Sequence, residues 1–270
     1  MSENNELSKI CSIYNTDKEE HGYTEIYHSY FKDIKDKNLK ILEIGVADGN
    51  SLNAWSEYFK NSKIVGIDIK DINIIKKKIN KKNIDFHKGS QTDENFLNTI
   101  IEKYKKFDII IDDGSHYPKD VIKSYNILFN SLSDKGMYFV EDIQTSYIHF
   151  FKGNAFDLKN GNTHMNFFKH MTDSLNYQEI ANPFYKKKKY DSLITNISFY
   201  HNLVMVRKGE NLKESNLVKN NSYENKRYET KVKRSPLKLQ YYLKYKILCK
   251  LYTYVLFIFF TIKKLILFRF

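Results

Sequence analysis

The sequence predicts an α/β fold: a mostly parallel, seven-stranded sheet with helices on both faces, finished by an antiparallel hairpin. Three observations carry that reading. Short apolar runs alternate with helix-length segments from residue 39 to residue 141, the pattern of strands joined by crossover helices. Six of the ten glycines (Gly45, Gly49, Gly66, Gly89, Gly114, Gly136) fall in that stretch, mostly at strand edges where the backbone turns or is closely approached. Two further apolar runs near residue 200 are linked by only Tyr200-His201-Asn202, the mark of a hairpin.

Taken in order, residues 1–36 read as a polar helical cover, with Leu7, Ile10, Ile13 and Tyr14 at helical spacing. The first strand is 39–44, followed by a helix at 51–59. A second strand, 63–69, ends near Asp68, and 71–80 is a basic helix. A short strand at 84–87 precedes a helix at 93–104, opened by Thr92 or Asp93 as its cap. The apolar strand 107–112 leads into a helix at 118–132 with Pro118 in its first turn. The next strand is 136–141. Residues 142–190, which hold His149, His164, His170 and four consecutive lysines at 186–189, are expected to form loops and a helix or two over the carboxyl edge of the sheet. The hairpin strands are 192–199 and 203–207. Domain boundaries follow: 1–208 as one domain, 209–236 as a polar linker, and 237–270, without Gly or Pro, as one long helix of about 50 Å at ~1.5 Å per residue.

The chain has 270 residues and a net charge of +12. It is long enough for a hydrophobic core without staples, and 28% charged with 15% aromatic residues is not a disordered composition. Cys11 and Cys249 stand at opposite ends, which excludes a disulfide framework or a cysteine zinc module. No basic-then-apolar leader opens the sequence, so secretion is not expected. Residues 1–206 carry 28 Lys+Arg and 28 Asp+Glu, whereas 207–270 carry 16 against 4 and hold every arginine. The whole excess therefore belongs to the tail, and a nucleic-acid reading from net charge alone fails for the first three-quarters of the chain.

The first strand and its loop read Leu42-Glu43-Ile44-Gly45-Val46-Ala47-Asp48-Gly49-Asn50-Ser51. An acid-x-Gly-x-x-x-Gly at the carboxyl end of a parallel strand is where an open α/β sheet binds a cofactor. The dinucleotide spacing G-x-G-x-x-G is absent. Asp68 closes the second strand, where a carboxylate can accept both hydroxyls of a ribose. Asp112-Asp113 and Glu141-Asp142 end the fourth and fifth strands, neighbours ~4.8 Å apart in this topology. Two acidic pairs facing each other suit a hard divalent cation, which takes one or two carboxylates and fills its shell with water or substrate oxygens. The bland alternative is that the second acid of each pair caps a helix. His116, three residues past Asp113, can take a proton near neutral pH, or else be a plain surface residue before Pro118.

These elements resemble the class I S-adenosylmethionine-dependent methyltransferases, a Rossmann-like fold, and more narrowly the metal-dependent sugar O-methyltransferases of the mycinamicin type. The matching segments are Asn15-Thr16-Asp17-Lys18, His21-Gly22-Tyr23 with Tyr27, residues 42–55, Gly66-Ile67-Asp68, Gly89-Ser90-Gln91-Thr92-Asp93, Ile110-Ile111-Asp112-Asp113-Gly114-Ser115-His116 and Val140-Glu141-Asp142-Ile143-Gln144-Thr145-Ser146-Tyr147. The likeness spans about residues 12–208. It implies S-adenosylmethionine held by Glu43, Gly45, Gly49 and Ser51 at the methionine end, Asp68 at the ribose, Ser90 and Gln91 at the adenine, and Asp112 in the same set. It implies Mg²⁺ or another hard divalent cation on Asp113 and Asp142, with Glu141 a ligand or a supporting group, and His116 as base. Two departures stand out: Ser90 replaces an acid common in the family, and His28 stands where Glu is common, with Glu25 a nearby substitute.

The implied reaction is methyl transfer to a sugar hydroxyl of a bacterial surface polysaccharide, capsule or lipopolysaccharide, or a related glycoside. Residues 251–262 are uncharged and bracketed by lysines; twelve residues are too few to span a bilayer but suit an anionic membrane surface. The setting expected is cytoplasmic, peripheral on the inner face of the cytoplasmic membrane, with a sugar or glycan acceptor, no nucleic-acid partner, and a homo-oligomer left open. Alternatives are a nucleic-acid or other small-molecule methyltransferase, and a non-catalytic membrane-docked module.

Overall fold

The computed structural model describes residues 5–70, 79, 81–182 and 184–223, and then positions 247, 248, 250, 251, 253–255, 257–259 and 261. The chain forms two units, Met1–Tyr177 with Lys186–Lys213, and Gln178–Tyr185 with Glu214–Phe270.

The first unit opens with helices α1 (Glu6–Ile13) and α2 (Tyr23–Phe31). The cover expected as helical is thus broken in the middle. Asn15 and Gly22 both take left-handed backbone, and the turn between them carries Lys18 into the interior, where 1% of it is exposed. Then follow β1 (Lys40–Ile44), α3 (Asn50–Tyr58), β2 (Lys63–Asp68), β3 (Ile84–Lys88), α4 (Glu94–Tyr104), β4 (Phe107–Asp112), α5 (Pro118–Leu128), β5 (Leu132–Val140), α6 (His164–Leu175), β6 (Ile194–Tyr200) and β7 (Leu203–Lys208). The helix expected at 71–80 lies outside the described residues, except position 79.

The seven strands run in the order β3-β2-β1-β4-β5-β7-β6. The first five are parallel, and β7 is antiparallel to both β5 and β6. The order reverses at β1, so the carboxyl ends of β1 and β4 flank the crevice where such sheets bind ligands. Side chains alternate between two cores. Leu42, Val65, Ile110 and Tyr138 pack one face with α4, α5 and α6. Ile41, Ile64, Ile109, Phe139 and Met205 pack the other with α1, α2 and α3. Both faces are covered, as parallel sheets require.

Two boundaries around Gly136 differ from the sequence reading by four residues each. The helix after Pro118 ends at Leu128, passes through a 3-10 turn, Phe129–Ser131, and the strand begins at Leu132, four residues before Gly136. Leu132 is buried and pairs with Phe107 across a register shift, so the strand begins before the polar Ser133-Asp134-Lys135 stretch that, with the glycine, had suggested a later start. The cap of α4 is Asp93, which accepts the Phe96 amide at 3.1 Å.

In the second unit, β8 (Val218–Lys219) and β9 (Ser222–Tyr223) form a small hairpin, turned by Asn220 and Asn221 in left-handed backbone. The linker reading of 209–236 missed this hairpin, and residues 224–236 lie outside the described residues. Of the long helix expected at 237–270, the described positions from 247 to 261 are helical; the rest lies outside. Within this unit Phe184 stacks on Phe257 at 5.5 Å. Among the described residues, no helix is long and apolar enough to cross a membrane.

Candidate active site

The site is built at the carboxyl ends of β1, β4 and β5. The loop after β1 is left-handed at Gly45, Ala47 and Gly49. Gly45 has a packing reason too: a Cβ there would lie 2.1 Å from the Asp113 carbonyl oxygen, so any side chain would push the β1 and β4 loops apart. Asp68 folds back on this loop. Its Oδ2 accepts the amides of Val46 and Ala47 at 2.9 and 3.0 Å, and its Oδ1 accepts that of Lys70 at 2.8 Å. Gly49 caps α3 without any side-chain hydrogen bond, which leaves the first amides of that helix to a polar or anionic ligand.

Beneath the loop, Glu43 is wholly buried. It accepts Ser51 Oγ at 2.7 Å and Trp55 Nε1 at 3.1 Å, and pairs with Lys18 Nζ at 3.3 Å. Lys18 is the hub of the site. Its ammonium also lies 3.0 Å from Asp113 Oδ2 and 2.7 Å from Glu141 Oε1. Burial works against its charge, but Asp113, Glu141 and Glu43 outweigh that and hold it well above the usual lysine range. Burial pushes the carboxyls of Glu43, Asp113 and Glu141 upward against the pull of the same lysine. Tyr27 donates to Glu141 Oε1 at 2.6 Å, so both bonds to Glu141 fall on one oxygen, leaving Oε2 clear of them.

On the open side, Asp113, His116 and Asp142 bring one ligand atom each to within 4.8 Å of one another. His116 Nε2 is 3.7 Å from Asp142 Oδ2 and 4.0 Å from Asp113 Oδ1. Burial raises Asp142, but hydrogen bonds from Tyr23 and Gln144 and the nearby His116 and His21 outweigh it and hold the carboxyl below its usual range. Two residues of this trio, His116 (φ 58°) and Asp142 (φ 52°), are left-handed without being glycine. Such backbone costs about 1–3 kcal/mol per residue and clusters at functional sites. The donor set fits a hard divalent cation: two carboxylates at an open position, with an imidazole that such a cation takes less readily than oxygen.

Comparison with known proteins fits this geometry. A methyltransferase-domain family profile matches residues 35–197. The chain belongs to that methyltransferase family. It is 33% identical over 216 residues to mycinamicin VI 2''-O-methyltransferase of Micromonospora griseorubida, covering 76% of this chain and 53% of that protein. It is 32% identical over 216 residues to demethylmacrocin O-methyltransferase of Streptomyces fradiae, covering 76% and 54%. Among solved structures, the MycE methyltransferase in complex with Mg and SAH matches with a TM-score of 0.73 at 32% identity, over 79% of this chain and 56% of that one. The chain thus spans about half the length of the curated relatives it matches.

Within the methyltransferase domain, the expected site residues sort by surroundings. Asp113, His116 and Asp142 converge, while Glu141 is drawn back onto Lys18 and Tyr27. Asp112 is sealed beneath, 1% exposed, and accepts Ser124 Oγ at 2.5 Å, Tyr138 OH at 3.1 Å and Gln91 Nε2 at 3.2 Å. Burial pushes its carboxyl up to about 6 against the Ser124 and Tyr138 hydrogen bonds. Gln91 also accepts the Ser115 amide at 2.6 Å and packs where a Cβ on Gly114 would otherwise sit. Asp112 and Gln91 thus form the floor that shapes the 113–116 loop. Ser90 bonds Thr92, Oγ to Oγ1, at 3.0 Å. His28 turns to Tyr58 OH at 2.9 Å and Glu25 is exposed, so neither joins the trio. Sequence reasoning named Lys18, Tyr23 and Tyr27 only as parts of matching segments. Phe151, whose ring stands edge-on to His116 at 6.2 Å and tilted to Tyr117 at 5.7 Å, carried no signal at all.

Proposed function

We propose that this chain is an S-adenosylmethionine-dependent, divalent-cation-assisted O-methyltransferase acting on a sugar hydroxyl of a glycoside. The observation that carries the reading is the convergence of Asp113, His116 and Asp142 beside the left-handed Gly45–Gly49 loop. When bound, S-adenosylmethionine supplies a methyl group on a sulfonium leaving group, and a cation such as Mg²⁺ supplies a positive charge that lowers the pKa of a nearby hydroxyl. Asp113 and Asp142 would hold the cation, with Oε2 of Glu141 beside them. Lys18 and Tyr27 orient Glu141, and Tyr23 and Gln144 keep Asp142 ionised. The Gly45–Gly49 loop, with Glu43 and Ser51 behind it and Asp68 at its side, would hold the cofactor; Ser90 and Gln91 stand at the adenine end. His116 takes the proton of the acceptor hydroxyl at Nε2, which lies 3.7 Å from Asp142 Oδ2 and 4.0 Å from Asp113 Oδ1. Much of the rate then comes from alignment of the reacting groups. Phe151 and Tyr117 offer aromatic surface to the apolar side of a sugar.

The relatives support a sugar acceptor, since their names are those of antibiotic glycoside methyltransferases. The narrower setting we propose is a glycan or glycolipid built at the cytoplasmic face of a bacterial membrane. It rests on the tail. Ile247, Leu248, Leu251, Val255, Ile258 and Phe259 are each more than half exposed, and residues 207–270 hold 16 basic against 4 acidic residues, a combination that suits an anionic lipid surface.

Titration calorimetry with S-adenosylmethionine, followed by methyl transfer to a panel of glycosides, tests the proposal. Activity is expected to vanish with EDTA and return with Mg²⁺. Absence of cofactor binding would refute the enzyme reading, and indifference to EDTA the cation. Flotation with phosphatidylglycerol vesicles tests the tail: full-length chain remaining at the bottom of the gradient rejects the membrane setting.

A further inference from the structure

Thr145 hydrogen-bonds to both left-handed residues of the trio. Its Oγ1 lies 3.0 Å from the His116 carbonyl oxygen and 2.8 Å from that of Asp142. These carbonyls belong to different loops, one after β4 and one after β5. Beneath Thr145 lies His164, the first residue of α6 and wholly buried. Its Nε2 is 3.3 Å from Thr145 Oγ1, and its Nδ1 is buried without a hydrogen-bond partner. We infer that Thr145, backed by His164, is a positioning device that fixes His116 relative to Asp142 for cation binding and proton removal. The inference rests on the methyltransferase reading of the site.

Proton counting supports it. A carbonyl can only accept, so the single hydrogen of the Thr145 hydroxyl is committed to the two carbonyls. Nε2 of His164 must then donate to Thr145 Oγ1. That leaves Nδ1 as a bare acceptor, and Nδ1 is the buried atom without a partner. Burial, with His116 adding to it, pushes His164 down to about 3, so the ring stays neutral and holds this one tautomer across the working range. A donor into Oγ1 polarises the hydroxyl and strengthens its own donation. The rest of the segment is fastened independently: Ser146 Oγ accepts the Met165 amide at 3.0 Å, and the Ser146 carbonyl accepts the Asn154 amide at 2.8 Å. The brace therefore bears on the mutual placement of two loops and not on whether the segment folds.

The test uses the full chain with Thr145→Val, Thr145→Ser and His164→Phe. Mn²⁺ affinity is read by electron paramagnetic resonance without acceptor, S-adenosylmethionine affinity by calorimetry, and kcat, KM and the pH–rate profile with a glycoside acceptor. Thr145→Val is expected to weaken Mn²⁺ binding and to lower kcat about 10–100-fold, the usual loss when a group that orients a metal site's residues is removed, with cofactor affinity unchanged and the base limb of the pH profile shifted. Thr145→Ser restores both to within about threefold, a difference of about 0.7 kcal/mol at most. His164→Phe, which keeps a buried ring but removes the donor, moves both in the same direction by less. A folded Thr145→Val with wild-type Mn²⁺ affinity and kcat overturns the proposal, as does His164→Phe without effect should the valine variant not fold. Failure of the underlying reading looks different: the unaltered chain then binds no S-adenosylmethionine and methylates no glycoside.

Discussion

Replacing Lys18 with methionine is the sharpest perturbation of this site. Methionine keeps roughly the length of the side chain and removes the ammonium. Three carboxylates, Glu43, Asp113 and Glu141, then lose a partner now 2.7–3.3 Å away, in a place where Lys18 and Glu43 are at most 1% exposed. Breaking a buried pair by removing one member costs about 3–5 kcal/mol. At ~2–4 °C per kcal/mol for a domain of this size, Tm should fall by about 6–20 °C. The pH dependence has a definite sign. All three carboxyls are already raised by burial in the folded chain, and a raised carboxyl contributes stability that is present below its unfolded pKa and is lost as pH rises through the folded value. Without Lys18 the raises grow, so the gap between variant and parent should widen from pH 5 to pH 8. Mg²⁺ should narrow it. Differential scanning calorimetry at both pH values, with and without Mg²⁺, is the assay. A loss under about 2 °C at pH 8, no more than an ordinary surface substitution gives, or a gap that shrinks as pH rises, would refute the hub role.

His116→Ala should keep S-adenosylmethionine affinity in calorimetry and lose about 10²–10⁴-fold in kcat; an unchanged rate removes its role as base. Asp112, raised to about 6, should make the chain lose about 3 kcal/mol of stability as pH climbs from 4 through 6, at 1.36 kcal/mol per pKa unit. Asp112→Asn should flatten that slope in urea titrations at a series of pH values, and an unaltered slope assigns the effect elsewhere. Gly45→Ala places a Cβ 2.1 Å from the Asp113 carbonyl oxygen in left-handed backbone, so it should cost about 1–3 kcal/mol or more and weaken cofactor binding; a neutral result means the two loops can part freely.

The legible part of the fold was the part written in local pattern. Parallel strands buried on both faces leave continuous apolar runs, so 107–112 was read to the residue, and Pro118 marked its helix start. The acids at 112–113 and 141–142 were legible because strand ends in this topology lie side by side. What escaped depends on the path of the chain in space. Lys18 reads as one lysine among many in a polar stretch; only the left-handed turns at Asn15 and Gly22 carry it inward to Glu43, Asp113 and Glu141. Asp112 and Asp113 are adjacent in sequence but point to opposite fates, because alternation along a strand end sends one under the sheet edge and the other over it. Asp112 therefore becomes the floor beneath the loop, whereas Asp113 converges with His116 and Asp142. Thr145 and His164 meet across an irregular segment with no periodicity, so spacing gave no hint of the pair.

Charge neutrality of residues 1–206, with 28 basic and 28 acidic residues, conceals a local separation that argues for the cation. Three carboxylates (Glu43, Asp113, Glu141) gather around one ammonium and a fourth, Asp142, converges with Asp113 beside them, a deficit of three charges if all are ionised. The chain answers this in two ways. Asp142 is held ionised by its hydrogen bonds, while burial raises Asp113 and Glu141 toward retaining a proton. A divalent ion needs the deprotonated carboxylates, so its binding should expel those protons. Mg²⁺ affinity should therefore rise with pH through the raised carboxylate range and level off above it. Calorimetry in two buffers of different ionisation enthalpy should register net proton release in the rising limb. An affinity independent of pH from 5 to 8, with no proton released, would place the ion away from Asp113 and Glu141 and detach the cation from the Lys18 cluster altogether.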